Sequence, residues 1–436
     1  MSATGELLTG AREVLEHNWL GESTRPAPQL YPHQWSWDSA FIAVGNASEN
    51  PSRAKAELDA LFRSQWSNGL VPHIVFGTTA DDYFPSASFW KSQSSRLAPT
   101  GTFTSGICQP PVHAFAVGSV VNRLSDSRPF LASIFDRLAA WHDYLFNERA
   151  IVGGLAEIWH PWESGMDNSP AWDTPMAALQ PRAEEIPDYE RVDTAVVDAA
   201  DRPTSWEYDR YAYLAGFLRD RRYAPADPVE IPLRVHDVLF NSLLARSEVE
   251  MARLARVLGA NSALHTERAA ALSAAIHTRL WDDSLGMHAG FDVRSGKRLS
   301  VAIAGGFSAL LANPPPQTIA AIVQKLSDTL VPIGDDGVVL PTLALTDPRF
   351  EPARYWRGPA WINLMWLTAH GLDESGKPEL ARKMRNGIIR LVETAGFFEY
   401  FDPATGAGHG SNNFSWTAAL AVCASEELAD PSLIAH

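Results

Sequence analysis

Cysteine is nearly missing from this chain of 436 residues: there are two, Cys108 and Cys423. Two thiols cannot build a disulfide framework or a four-thiolate zinc site. Both lie in apolar stretches, SGICQ and LAVCAS, where a free thiol behaves as a small buried hydrophobe. Excess basic charge is missing too. The chain carries 36 Lys and Arg against 51 Asp and Glu, a net charge of −15. With no basic run, it is a poor match for nucleic acid or an anionic membrane. No apolar run approaches the roughly 20 residues that a bilayer-spanning helix needs. The opening MSATGELLTGAREVL reads as an amphipathic start, not as a basic segment followed by an apolar one. These features lead us to expect a cytoplasmic protein. The 13 histidines form no HExxH pattern, and no GxSxG elbow occurs. The GAGHG at 406–410 follows no strand signal, and Ser411 replaces the last glycine of a dinucleotide fingerprint. No acidic loop has calcium spacing, so neither metal nor cofactor is expected.

What remains is ordinary globular composition, 46% hydrophobic and 20% charged, in a chain long enough to bury a large core. Helical periodicity dominates. Residues 53–66 put Leu58, Leu61, Phe62 and Trp66 on one face. Residues 233–258 repeat apolar positions up to Gly259, a C-cap, and 378–395 run from Pro378 in the first turn to Gly396. Ten further segments read as helices, near 3–18, 36–48, 107–124, 128–147, 203–221, 262–281, 300–312, 316–328, 357–372 and 414–426. Strand signals are few, chiefly Leu70–Phe76 and Gly337–Pro341. Pro-, Gly- and Ser-rich connectors fill 20–34, 77–105, 150–202, 282–299 and 329–356, and structureless loops of such length are usually functional. Long helices in pairs with loops at intervals suit an all-α toroid. A stacked solenoid would need a repeat, and none is visible. We expect one catalytic domain over 1–436, with loop insertions at about 69–105, 150–202 and 329–356.

The 15 Trp are unevenly placed. Trp35, Trp37, Trp90, Trp159, Trp162, Trp172, Trp206, Trp356, Trp361 and Trp416 fall in or beside the loops, each near an Asp, Glu, Gln or Arg. Core-filling Trp would follow helix periodicity. Flat aromatic faces beside carboxylates, amides and guanidinium groups suit the C–H faces and hydroxyls of a sugar. Four segments concentrate this mixture: YPHQWSWDSAF (31–41), HPWESGMDNSPAWD (160–173), RYWRGPAWINLMW (354–366) and GFFEYFDPATGAGHGSNNFSWTAAL (396–420). Glycoside hydrolysis commonly uses two carboxyl groups, one of them kept protonated by an apolar surround. Asp167 and Glu399 sit in the richest aromatic settings, on separate loops. His73, His113 and His160 read as satisfied, partly buried histidines. A sugar epimerase would rely on histidine pairs, and a non-catalytic sugar binder would not need both carboxylates.

The stretch ESGMDNSP (163–170) resembles the general-acid motif of glycoside hydrolase family 63, and trehalases carry a similar ESGxD element. FFEYFDPATGAGHG…FSWTAA resembles that family's general-base region, and YPHQWSWDSAF and RYWRGPAWINLMW two further blocks. The blocks span residues 31–420. The resemblance implies an (α/α)6 barrel whose long loops form the active-site face, and hydrolysis of α-glycosides with inversion. It makes Asp167 the general acid and Glu399 the general base. Tyr31, Trp35 and Asp38 then hold the sugar, and Gln109, Tyr355, Trp356 and Trp361 line the same subsite. The chain's short length is similar to that of compact bacterial members that hydrolyse glucosylglycerate or mannosylglycerate. Such a small anionic substrate needs a cation for its carboxylate. Arg202 with Tyr208 is the first choice, and Arg354 and Arg357 are rivals. Tyr83 would help close the glycerate side, with the 69–105 loop as a lid. The alternative substrate is a neutral disaccharide such as trehalose or kojibiose. The expected partner is a small-molecule glycoside, with no nucleic acid and no membrane, and homo-oligomerisation is left open.

Overall fold

The computed structural model describes residues 3–77, 83–149, 152–224 and 227–434. Parts of two expected insertions, 78–82 and 150–151, lie outside the described residues. The helices are α1 (Ala3–His17), α2 (Ser36–Asn46), α3 (Pro51–Arg63), α4 (Ala87–Trp90), α5 (His113–Arg123), α6 (Arg128–Tyr144) and α7 (Asp173–Ala178). They continue with α8 (Ser205–Asp220), α9 (Val238–Leu258), α10 (Ala263–Arg279), α11 (Pro316–Ser327), α12 (Ile362–Glu374), α13 (Pro378–Ala395) and α14 (Ser415–Ala429). A 3-10 helix, Ala304–Ala312, replaces the α-helix expected near 300–312. The Gly305-Gly306 pair weakens α-helical propensity there.

Six of these elements close a ring. α2 packs on α5, α5 on α9, α9 on the 3-10 helix, that helix on α12, α12 on α14, and α14 back on α2. Six others lie outside it: α1 against α14, α3 against α2, α6 and α10 against α9, α11 against the 3-10 helix, and α13 against α12. Outer and inner elements alternate along the chain, so this is the (α/α)6 barrel that the family resemblance implied. The sequence carries the reason. Every residue of α2, SWDSAFIAVGN, is buried, as an inner helix requires. α13 is amphipathic: it buries Met384, Ile388 and Leu391 and exposes Glu379 and Arg390. Asp237 caps the N-terminus of α9, the longest helix, by accepting from the Phe240 N–H.

Strands are short ladders at the ring's ends. Gln34–Trp35 pairs antiparallel with Ile74–Val75 just before α2 begins. The 282–299 connector is less irregular than its composition suggested. It folds as Trp281–Asp282 against Met287–His288 and Gly290–Asp292 against Lys297–Leu299. Asp282 and Asp292 close these turns by accepting backbone N–H groups two and three residues on. Both cysteines are buried and free. No helix among the described residues is long and apolar enough to cross a membrane.

Candidate active site

The inner helices α2, α12 and α14 all start at one end of the ring, where a recess of about 650 Å³, its open mouth included, is sunk between the loops. The elements that deliver its walls are short. The Gln34–Trp35 ladder leads into α2, so Tyr31, Trp35 and Asp38 reach the recess together. Gln109 enters just ahead of α5, and its Oε1 accepts the Trp37 N–H at 3.2 Å, which turns its amide nitrogen away from that backbone. Tyr355, Trp356 and Trp361 arrive ahead of α12. The two indoles stack with centroids 3.7 Å apart, and Trp361 Nε1 donates to the Tyr355 carbonyl at 2.9 Å. Tyr83 stands edge-on to Trp35 at 5.1 Å.

Asp167 hangs from a tightly tied loop. Tyr211 OH donates to its carbonyl at 2.7 Å, Trp172 Nε1 to the Met166 carbonyl at 3.0 Å, and Asn168 Oδ1 accepts the Trp356 N–H at 2.9 Å. Gly165 lets the loop turn with φ +72° against Trp37, where a Cβ would fall 2.5 Å from the indole. Burial raises the Asp167 carboxyl to about 7, against the pull of Arg202, with Glu207 and Glu399 pushing it further up. This group can therefore hold a proton near neutrality and give it away.

Glu399 is 1% exposed. Its Oε1 accepts Tyr31 OH at 2.7 Å and its Oε2 accepts the Ser411 N–H at 3.0 Å. Gly410 passes so close that a Cβ would meet Oε2 at 2.4 Å. Burial raises this carboxyl as well, while Arg202, the Ser411 N–H and Tyr31 favour its anion. Asp38 is pushed well above the usual carboxylate range by burial, and Glu399 and Glu57 add to the shift.

Arg202 is the one arginine among the described residues that lines the recess. Its Nε donates to Asp193 Oδ2 at 3.2 Å, its guanidinium lies 4.1 Å over the Tyr355 ring, and its Nη1 stands 3.8 Å from Glu399 Oε1. That Nη1 is buried and not hydrogen-bonded. The two rival arginines are spent elsewhere. Arg354 pairs with Glu351 and Glu207, and Arg357 is bidentate to Asp173 at 2.7 and 3.0 Å. Neither lines the recess. Tyr208 does, with Arg191 over its ring at 4.0 Å.

The twelve residues first assigned to the site from the sequence thus line one recess. Others were given no role in it. Trp37, Trp162, Phe414 and Trp416 line it too, and each stood inside a quoted segment, so the aromatic clustering was their signal. His73 also lines it, stacked on Trp162 at 6.1 Å. It was expected to be satisfied, as His160 is by the Tyr211 carbonyl and the Trp162 N–H, but its Nδ1 is buried without a partner, and so is that of His113, which bonds Ser36 through Nε2 alone. Four of the loop tryptophans are elsewhere. Trp90 and Trp172 are core, Trp159 lies under Arg149, and Trp206 is 43% exposed beneath Arg210. Among the described residues no group of three or more His, Cys, Asp or Glu could hold a metal ion.

Comparison with known proteins supplies the context. Residues 31–417 match the family model of the mannosylglycerate hydrolase MGH1-like glycoside hydrolase domain. The chain is 47% identical over 422 residues to the mannosylglycerate hydrolase of Rubrobacter radiotolerans, covering 95% of this chain and 96% of that one. It is 35% identical over 439 residues to the glucosylglycerate hydrolase of Mycolicibacterium hassiacum, with 95% and 96% covered. The crystal structure of the GH63 mannosylglycerate hydrolase from Thermus thermophilus, in complex with Tris and D-glycerate, superposes with a TM-score of 0.88 at 39% identity, covering 95% of this chain and 99% of that one. Neutral trehalase Nth1 from Saccharomyces cerevisiae shares the fold, with a TM-score of 0.58 at 17% identity.

Proposed function

The chain belongs to the mannosylglycerate hydrolase MGH1-like glycoside hydrolases, and from that premise we propose that it hydrolyses small anionic α-glycosides. Mannosylglycerate or glucosylglycerate is cleaved to the free hexose and glycerate. The observation that carries this reading is one recess whose described lining residues include a carboxyl raised to about 7, two further buried carboxyls and one arginine, all walled by aromatic rings.

In the proposed mechanism the Asp167 carboxyl donates its proton to the glycosidic oxygen as the bond from C1 to that oxygen breaks. A water on the opposite face of the sugar attacks C1 and passes a proton to Glu399, so the anomeric configuration inverts. Such enzymes keep the two carboxyls roughly 6.5–9.5 Å apart to admit that water. Tyr31 and the Ser411 N–H favour the Glu399 anion that this step requires. Asp38, Trp35, Gln109, Tyr355, Trp356 and Trp361 hold the hexose. Arg202, whose Nη1 makes no hydrogen bond, takes the glycerate carboxylate with the help of Tyr208, and Tyr83 covers that side. A small anionic solute as substrate also supports a cytoplasmic site of action.

The test is to incubate the protein separately with glucosylglycerate, mannosylglycerate, trehalose and kojibiose and to follow the released sugar by proton NMR. Fastest cleavage of a glycerate glycoside, with the β-anomer formed first, is expected. Cleavage of the neutral disaccharides alone would remove the role given to Arg202. The α-anomer appearing first would overturn the roles of Asp167 and Glu399.

A further inference from the structure

Glu163 lies four residues before Asp167, does not line the recess, and has no exposed surface. A buried carboxylate is costly unless it is paired and hydrogen-bonded. Here it is both, and its partners come from three parts of the chain. Oε1 accepts Arg149 Nη2 at 2.7 Å, the Cys108 N–H at 3.2 Å and the Cys108 thiol at 3.4 Å. Oε2 accepts the Trp159 N–H at 2.7 Å and Arg149 Nη1 at 2.9 Å. Arg149 is held in turn by the Tyr144 hydroxyl and the Glu157 carbonyl, and lies 3.9 Å over the Trp159 ring.

The next residue after Cys108 is Gln109, in the wall of the recess. From Glu163 the chain runs through Ser164, which donates to the Pro161 carbonyl at 2.6 Å and accepts the Met166 N–H at 3.0 Å, to the acid itself. One carboxylate therefore ties the wall that carries Gln109 to the loop that carries Asp167. We propose that Glu163 is a positioning residue, whose bonds to Cys108, Trp159 and Arg149 set where Asp167 stands relative to a sugar held at Gln109. Misplacing a proton donor by about 1 Å can cost on the order of 100-fold in rate.

This rests on Asp167 as the acid, so the experiment tests both together. The variants Glu163→Gln, Arg149→Lys and Asp167→Asn are each assayed on mannosylglycerate or glucosylglycerate and on the matching α-glycosyl fluoride. The glycerate alcohol is a poor leaving group that needs the proton, whereas fluoride departs with little acid help. Glu163→Gln turns an amide nitrogen toward the Arg149 guanidinium and a backbone N–H, which can only donate. It is expected to lower kcat on the glycerate glycoside by about 30- to 100-fold, to leave KM within about threefold, and to lower kcat on the fluoride by no more than about threefold. Arg149→Lys keeps the charge, loses the planar fork and should show the same split more weakly, which preserves the test if the first variant does not fold. Equal losses on both substrates would mean that Glu163 only holds the fold, and no loss on either would mean that its bonds set nothing; each overturns the proposal. Asp167→Asn separates the two failures. If it loses both substrates equally, the acid assignment fails first. If it shows the split and the folded Glu163 and Arg149 variants do not, only the positioning role falls.

Discussion

Glu163 and Asp167 are two buried carboxyl groups on one loop, and they have opposite fates. Burial works to raise both. At Glu163 the Arg149 fork and the N–H groups of Trp159 and Cys108 outweigh that penalty and hold the carboxyl below its ordinary value. At Asp167 the nearby cation, Arg202, only partly offsets burial, and neighbouring carboxylates add to the rise. Desolvation alone therefore does not decide which acid keeps its proton. The decision lies with the donors supplied, and four residues of chain suffice to change them. In the mechanism we propose, one group is the anchor and the other the proton source.

The comparison is broken most severely by removing the proton source. Asp167→Asn should lower kcat/KM on a glycerate glycoside by about 1,000-fold or more, and Glu399→Gln similarly, measured by released hexose. Undiminished turnover in either would return both groups to a structural role. Next in size is the anchor's own partner. Arg149→Met leaves the Glu163 charge buried and unpaired, at a cost of about 3–5 kcal/mol of stability by urea denaturation. The sign with pH follows from Glu163 then having a raised folded-state pKa. The loss is smallest at low pH, where the carboxyl is protonated in both states, and grows as pH rises through the unfolded value. A loss that does not change with pH would mean that Glu163 is not the group left exposed to the penalty.

Smaller effects sharpen the contrast. Arg202→Ala should raise KM for glycerate glycosides about 100-fold, since a charge-assisted contact is lost, and should cost any neutral α-glycoside that the protein cleaves much less, only what the weaker support of the Glu399 anion takes away. The same variant removes the group that lowers the Asp167 carboxyl, so its alkaline limb should move up. In the native protein kcat/KM should fall as pH rises through about 7, where Asp167 gives up its proton. The acidic limb should lie above the ordinary carboxylate range because Glu399 is raised too. The smallest effect is the control. Trp206 is exposed and outside the recess, so Trp206→Ala should change stability by no more than about 0.5 kcal/mol and turnover hardly at all.

An all-α toroid was legible because long helices recur in pairs with loops at intervals, and the six-fold barrel followed from the family resemblance. The wound segment at 304–312 was placed but mistyped, since apolar periodicity does not separate 3-10 from α winding over nine residues. The recess was legible where the chemistry is concentrated in short segments, as in ESGMDNSP and FFEYFDP. Which tryptophan faces substrate and which faces core was not: Trp162 and Trp172 share one segment, and only packing sends the first to the recess and the second under Met166. His73 had no motif around it, and its place against Trp162 with Nδ1 unpaired belongs to the fold alone. Asp193, which orients Arg202, sits in a loop whose sequence reads as exposed connector, although it is 4% exposed.

The stacked pair Trp356 and Trp361, with rings 7° from parallel and Tyr400 continuing the pile at 4.9 Å, has an optical consequence. Indoles this close share their electronic excitation, so the folded recess should carry its own circular-dichroism couplet and a quenched, shifted emission. Both belong to side chains that line the cleft. They provide an intrinsic, label-free signal for titrating ligands into variants whose turnover is too slow to follow.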